Sequence, residues 1–252
     1  MSALRAIRTD RLSPESNPCG SLWLDLCGVE AALRCSGALW LPQTRTLVIA
    51  DLHLEKGSAY ASRGQLLPPF DTADTLRRLE AELHALTPRT LVLLGDSFHD
   101  RKAIARLGPT NAQRVLDLAH GRTLVWIVGN HDVEGLDQVW ESLGGVLAGE
   151  VADEVVLGTL TLRHEPRSGL APGEVAGHLH PCAKVIRAGR SIRKRAFLTD
   201  GERLILPAFG AYAGGLNACD VAFAGLFART PIAGALGDRR VHPLPMSALS
   251  RD

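Results

Sequence analysis

The run Leu124-Val125-Trp126-Ile127-Val128, stopped by Gly129-Asn130-His131-Asp132, constrains this chain more than any other stretch. An uninterrupted apolar, β-branched run reads as a strand buried on both faces, and the Gly reads as its exit into a loop. Two further runs have the same form. Thr46 to Ala50 ends in Asp51-Leu52-His53-Leu54-Glu55-Lys56-Gly57, and Leu91 to Leu94 ends in Gly95-Asp96-Ser97-Phe98-His99-Asp100. Between them Asp71 reads as an N-cap, with Asp74 three residues on. Leu76, Leu79, Leu83 and Leu86 follow at helical spacing, and Pro88 stops the helix. Asn111 to Leu118 reads as a second helix. Strand, helix, strand, helix, strand implies parallel strands with crossover helices. Open sheets of that kind carry their sites at the carboxyl ends of the strands.

Gly37 to Leu41 and Thr46 to Ala50 flank Pro42-Gln43-Thr44 and read as a hairpin. The second half reads mostly as β. Val155 to Leu157 and Thr159 to Leu162 turn at Gly158 and lead to His164-Glu165-Pro166. Val175-Ala176 leads into Gly177-His178-Leu179-His180-Pro181, and Ala196 to Leu198 and Leu204 to Leu206 flank the turn Asp200-Gly201. With no repeat and no long linker, one α+β domain is expected over residues 21–230. A loose tail rich in Ser, Pro and charge is expected at 1–20, and a C-terminal tail at 231–252.

The 252 residues suffice for a substantial core, and a net charge of +1 offers no global basic field, so any nucleic-acid contact must be local. Cysteines at 19, 27, 35, 182 and 219 are odd in number and form no Cys-x-x-Cys pair, which points to a reducing compartment rather than disulfides or a thiolate zinc site. Arg5, Arg8, Asp10 and Arg11 break the first residues, which do not read as a signal peptide. No run nears the ~20 apolar residues of a membrane span. The expectation is a cytoplasmic protein with no membrane partner.

Five loops therefore follow apolar strands: Asp51-x-His53, Gly95-Asp96-x-x-His99, Gly129-Asn130-His131-Asp132, His164, and Gly177-His178-x-His180. Carboxylate oxygens and imidazole nitrogens hold manganese, iron or zinc. One residue between two ligands on an extended segment puts both on one face. Each loop alone is common as a turn or a surface His; all five together, each at a strand end, are not a coincidence of turns. His84, His120 and His242 belong to no such loop and read as surface residues.

These blocks resemble the motifs of the calcineurin-like metallophosphoesterase superfamily, over residues 51–180. The resemblance implies a four-layer α/β/β/α sandwich of two mixed β-sheets flanked by helices. It implies one divalent metal on Asp51, His53 and His180, a second on Asn130, His164 and His178, and Asp96 bridging them. It makes His131 the catalytic histidine, facing the phosphate. Two dications roughly 3.5–4 Å apart can share a hydroxide for in-line attack on phosphorus, with His131 as general acid for the leaving alkoxide. Four imidazoles and two carboxylates leave the centre positive, which suits an anionic substrate. The trailing His99 is similar to the version in DNA-repair nucleases, where it supports the catalytic His; Asp100 and Asp132 read as orienting groups. The ions expected are two, manganese first, with iron and zinc as alternatives.

A narrower likeness covers residues 37–228. Asp51 to Gly57, Arg63-Gly64-Gln65-Leu66-Leu67-Pro68-Pro69, Gly95 to Asp100, Arg163 to Pro166, and Leu206-Pro207-Ala208-Phe209-Gly210-Ala211-Tyr212 look like the ligase-associated DNA damage response phosphoesterases, the PdeM group. That likeness implies a phosphodiesterase or endonuclease acting on DNA beside an ATP-dependent DNA ligase, a helicase and an exonuclease. Lys184, Arg187, Arg190, Arg193, Lys194 and Arg195 follow the last motif with no acid among them. Of these, Arg193, Lys194 and Arg195, with Lys56 and Arg63, are the expected substrate contacts. The competing readings are a small-molecule or nucleotide phosphoesterase with the same centre, and a non-catalytic repair scaffold. A homo-oligomer is compatible with all three.

Overall fold

The computed structural model describes residues 20–65, 67–130, 132 and 148–252. The first sheet has the order β1 (Leu22–Leu26), β2 (Val29–Leu33), β3 (Leu39–Leu41), β4 (Thr46–Ile49), β5 (Thr90–Leu94), β6 (Thr123–Ile127) and β7 (Glu150–Ala152). Its first four strands form an antiparallel meander, and β4 to β7 are parallel. Between β4 and β5 lie α1 (Lys56–Ala61) and α2 (Asp71–Leu86). Between β5 and β6 lie α3 (Ala103–Arg106) and α4 (Pro109–Asp117). This is the crossover arrangement expected from the alternation of runs and helical spacing.

The uninterrupted apolar runs have a direct cause. Leu47, Ile49, Leu91, Leu93, Leu124 and Trp126 pack outward against Leu76, Leu79 and Leu83 of α2 and Val115 of α4. The alternate residues Val48, Ala50, Val92, Leu94, Val125 and Ile127 pack inward against the second sheet. Each residue of these apolar runs therefore meets a core, so polar alternation is absent from them.

The second sheet comprises β8 (Glu154–Leu157), β9 (Leu160–Arg163), β10 (Glu174–Ala176), β12 (Arg190–Thr199), β13 (Leu204–Ile205), β14 (Ile232–Leu236) and β15 (Val241–Pro245), in the order β15-β14-β12-β13-β10-β9-β8, with β11 (Cys182–Arg187) paired to β12. It is mixed, β9, β10 and β13 being parallel and the rest antiparallel. Leu160, Leu162, Val175, Phe197, Leu204 and Leu206 meet the first sheet. The outer face is covered by Ala218, Phe223 and Leu226, at and around the 3₁₀ turn Val221–Phe223, so among the described residues the expected fourth layer is a loop layer with 3₁₀ turns.

Two local expectations are corrected. Residues from 231 do not form a tail. Ile232 to Leu236 pairs with β12, and Val241 to Pro245 closes the sheet as its edge, where Pro243 and Pro245 are tolerated. Asp71 is not the cap of α2. Phe70 holds that position, and the buried Asp71 carboxylate accepts the Gly57 N–H at 2.8 Å, fastening the first motif loop to the helix.

Candidate metal centre

Asp51, His53, Asp96, His178 and His180 all have φ between 44° and 65°, the left-handed region that non-glycine residues seldom occupy. Strained backbone concentrated at one place is a mark of a functional site. It also revises the expected geometry. Asp51-Leu52-His53 is not extended, and its two side chains converge because the chain recoils at alternate residues. Backbone bonds between motifs hold the recoil in place: Asp51 N–H donates to Gly95 O at 3.2 Å, His53 N–H to Asp96 O at 2.9 Å and Leu54 N–H to Ser97 O at 3.0 Å.

Glycines set how closely the loops approach. A Cβ on Gly95 would lie 2.3 Å from His164 Nδ1, and one on Gly129 would lie 2.2 Å from the Asp96 backbone nitrogen. The motif glycines are therefore packing requirements as well as turn formers.

Two clusters result. In the first, His180 Nε2 lies 3.1 Å from Asp51 Oδ1 and 3.4 Å from His53 Nε2. In the second, Asn130 Oδ1 lies 2.9 Å from His164 Nε2 and 3.0 Å from His178 Nδ1, and the two ring nitrogens are 3.2 Å apart. The Asp96 carboxylate divides between them: Oδ1 is 3.4 Å from His164 Nε2, and Oδ2 is 3.9 Å from His53 Nε2. Donors sharing an ion at about 2.1 Å lie roughly 3.0–3.4 Å from one another, so these separations fit.

The donor chemistry fits as well. His164 Nδ1 lies 3.0 Å from the Leu94 carbonyl oxygen, which can only accept, so Nδ1 carries the proton and Nε2 presents a lone pair. That lone pair faces the Asn130 and Asp96 oxygens. Acceptors turned toward one point need a cation among them.

Burial pushes the Asp51 carboxyl up, but the hydrogen bond and charge of His180, with the charges of His164 and His53, outweigh it and hold it below the usual carboxylate range. Burial likewise lowers His180, and its contacts with Asp51 raise it further than that. Burial and the charge of Asp96 push Asp132 up to about 6.

The other expected residues divide in position. His131 lies outside the described residues. Asp132 is buried and accepts the N–H groups of Gly129 at 3.1 Å, Ser97 at 3.3 Å and Phe98 at 3.4 Å, tying two motif loops together. His99 stands edge-on to His53, with ring centroids 5.9 Å apart, and stacks on Tyr60. Asp100 accepts two 3.0 Å bonds from Arg106, whose Nε also donates to Ser58 in α1; no motif flags this strut. Lys56 starts α1 half-buried, within electrostatic range of His180, and Arg63 is exposed on the turn after α1. Arg195 Nη1 donates to the carbonyls of Ala208, Phe209 and Gly210, and Arg193 binds the Asp252 carboxylate. Lys194 remains exposed, 3.7 Å from Asp238. His84, His120 and His242 are exposed.

The calcineurin-like phosphoesterase family model matches residues 44–187, more than half of the chain and a span that contains all five motif loops. The chain belongs to the calcineurin-like phosphoesterase family. Among solved structures it is similar to nuclease MPE of Pseudomonas putida, with 31% identity and a TM-score of 0.65, covering 89% of this chain and 100% of that one. It also matches Yfce, a phosphoesterase from E. coli, at 17% identity and a TM-score of 0.38, over 81% of this chain and 99% of that one. No curated protein matches the chain. Membership makes this a metal-dependent phosphoesterase of a family that uses dinuclear sites, and the two clusters are its candidate metal centre. No helix among the described residues is long and apolar enough to cross a membrane.

Proposed function

We propose that this calcineurin-like phosphoesterase is a dinuclear-metal phosphodiesterase that cleaves DNA, working with manganese in the cytoplasm beside an ATP-dependent DNA ligase, a helicase and an exonuclease. The observation that carries the chemistry is the Asp96 carboxylate, with one oxygen toward each cluster. The likeness to a nuclease supports a nucleic acid as the polymer, and the resemblance to the DNA damage response phosphoesterases supports DNA. Two dications held there would supply charge that draws in a phosphodiester and lowers the pKa of water at neutral pH. Asp51, His53 and His180 would hold one ion, Asn130, His164 and His178 the other.

His131, adjacent to ligand Asn130, donates a proton to the leaving 3′ or 5′ oxygen. Asp132 orients the turn that carries it, through the N–H groups it collects from both loops. His99 is a positioning residue behind the centre, and Lys56 and Arg63 contact the non-reacting phosphate oxygens.

His131→Ala should retain both metals and lose about 10²–10⁴-fold in turnover, the scale of general acid catalysis. Metal analysis and hydrolysis of a bis-aryl phosphodiester check this; unchanged turnover would remove His131 from the mechanism. Activity on an aryl monoester that exceeds activity on both the diester and DNA would instead favour a small-molecule phosphatase.

A further inference from the structure

β12 is ten residues long, yet only Ala196 to Thr199 pairs with β14, and only Leu198 and Thr199 pair with β13. Arg190 to Arg195 pairs with β11 alone among the described residues, so β11 and β12 form a two-stranded ribbon beyond the sheet. Its turn is Ala188-Gly189, both with positive φ, which matches the twist of a tight hairpin. Six paired positions make an arm about 20 Å long, rooted two residues after His180. It carries six cations and no carboxylate, in a chain whose net charge is only +1, so the remaining residues sum to −5.

The register divides those cations between two faces, because directly paired residues share a face. Lys184/Arg193 and Cys182/Arg195 lie on one. There the chain occupies the charges itself. Arg193 Nη1 binds the Asp252 carboxylate at 2.5 and 2.6 Å and its Nη2 donates to Gly215 O at 2.7 Å. Lys184 donates to Arg251 O at 3.1 Å, and Arg195 serves three carbonyls. An isolated two-stranded ribbon is marginal in water, and these contacts brace it.

The opposite face presents Arg187/Arg190, Val185/Ile192 and Ala183/Lys194. Arg187 and Arg190 are exposed and pair with no carboxylate among the described residues; Lys194 meets only the exposed Asp238 at 3.7 Å. Ile192, between them, is 53% exposed. Among the described residues, no ion pair of Arg187 or Arg190 braces the arm.

We infer that the Arg187–Arg190–Lys194 face of this ribbon is a binding surface for the phosphate backbone of a DNA strand. The inference rests on the DNA reading above. It moves strand contact from Arg193 and Arg195 to residues on the other face. Guanidinium and ammonium groups spread along a stiff ribbon suit phosphates, which position a strand without reading its sequence, and Val185 and Ile192 offer apolar contact to sugars and bases between them.

The test is fluorescence anisotropy of the manganese-loaded full chain with a labelled, nuclease-resistant phosphorothioate single strand, from 50 to 200 mM salt. If three phosphate contacts are lost, the triple variant R187A/R190A/K194A should reduce the salt slope by about 2, so that wild-type affinity falls roughly 16-fold more over that range than the variant's. The charge-conserving R187K/R190K/K194R should keep the wild-type slope. A triple-alanine protein with wild-type affinity and slope overturns the inference and points to an acidic protein partner instead. Wild-type protein with no salt-dependent DNA binding overturns the DNA reading itself, and this inference with it.

Discussion

Asp51, His53 and His180 form the dry half of the centre, while Asn130, His164 and His178 form the half that faces solvent. Asp51 and His53 are buried, and Asp51 also accepts the His178 backbone N–H at 3.0 Å, so one carboxylate serves its own cluster and the loop of the other. In the second cluster Asn130 is exposed and His178 is half-buried; only His164 is deeply placed. Depth decides what a lost ligand costs. Removing a buried acceptor strands the donors around it, whereas removing a rim imidazole subtracts one donor to the ion. The first half is scaffold as well as ligand; the second is the approach side.

The largest effect is expected at the residue the halves share. Asp96→Ala should empty both clusters and lower diester turnover by about 10³-fold, comparable to losing a group that stabilises the transition state. Metal content after dialysis checks it, and one retained ion would show that the halves fill independently. A contrast of intermediate size separates them. Asp51→Ala should lose an ion and also cost about 1–3 kcal/mol of stability, since the His178 N–H loses its acceptor; His178→Ala should lose an ion with little change in melting. Equal melting temperatures for the two variants would erase the distinction.

The smallest effect is in proton release. His180 holds its proton above the usual imidazole range in the metal-free fold, chiefly through Asp51 acting against burial. Ion binding to the dry half must expel that proton, so affinity weakens as pH falls through the raised value, by up to about tenfold per unit. Calorimetry in buffers of unlike ionisation enthalpy reads the released proton. No release just above the usual imidazole range would mean the proton is not there.

The parallel core was legible because buried strands leave an unmistakable apolar signature, and Leu76, Leu79 and Leu83 announced the helix that covers them. The ligand loops were legible as residue types at strand ends. Their conformation was not, because left-handed Asp51, His53 and Asp96 are imposed by backbone bonds between loops distant in sequence. The strands at 232–245 were hidden by Gly234, Pro243 and Pro245, which local preference excludes from a sheet and an edge position admits. The ribbon leaves no strand signal in the sequence because its cations fall on both faces and erase the period of two. The two faces, and hence the division of labour among its arginines, exist only once the register is known.

One consequence concerns supply rather than chemistry. The ligands come from the ends of β4, β5 and β6 in one sheet and of β9 and β10 in the other, layers that otherwise meet through apolar side chains. A filled centre is a rivet between them. An ion at 1,000 times its dissociation constant adds about 4.1 kcal/mol to the folded state, a large share of the 5–15 kcal/mol typical of a domain. In a cell short of metal, such a protein would be cleared by proteolysis as well as idle, and its abundance would follow the ion.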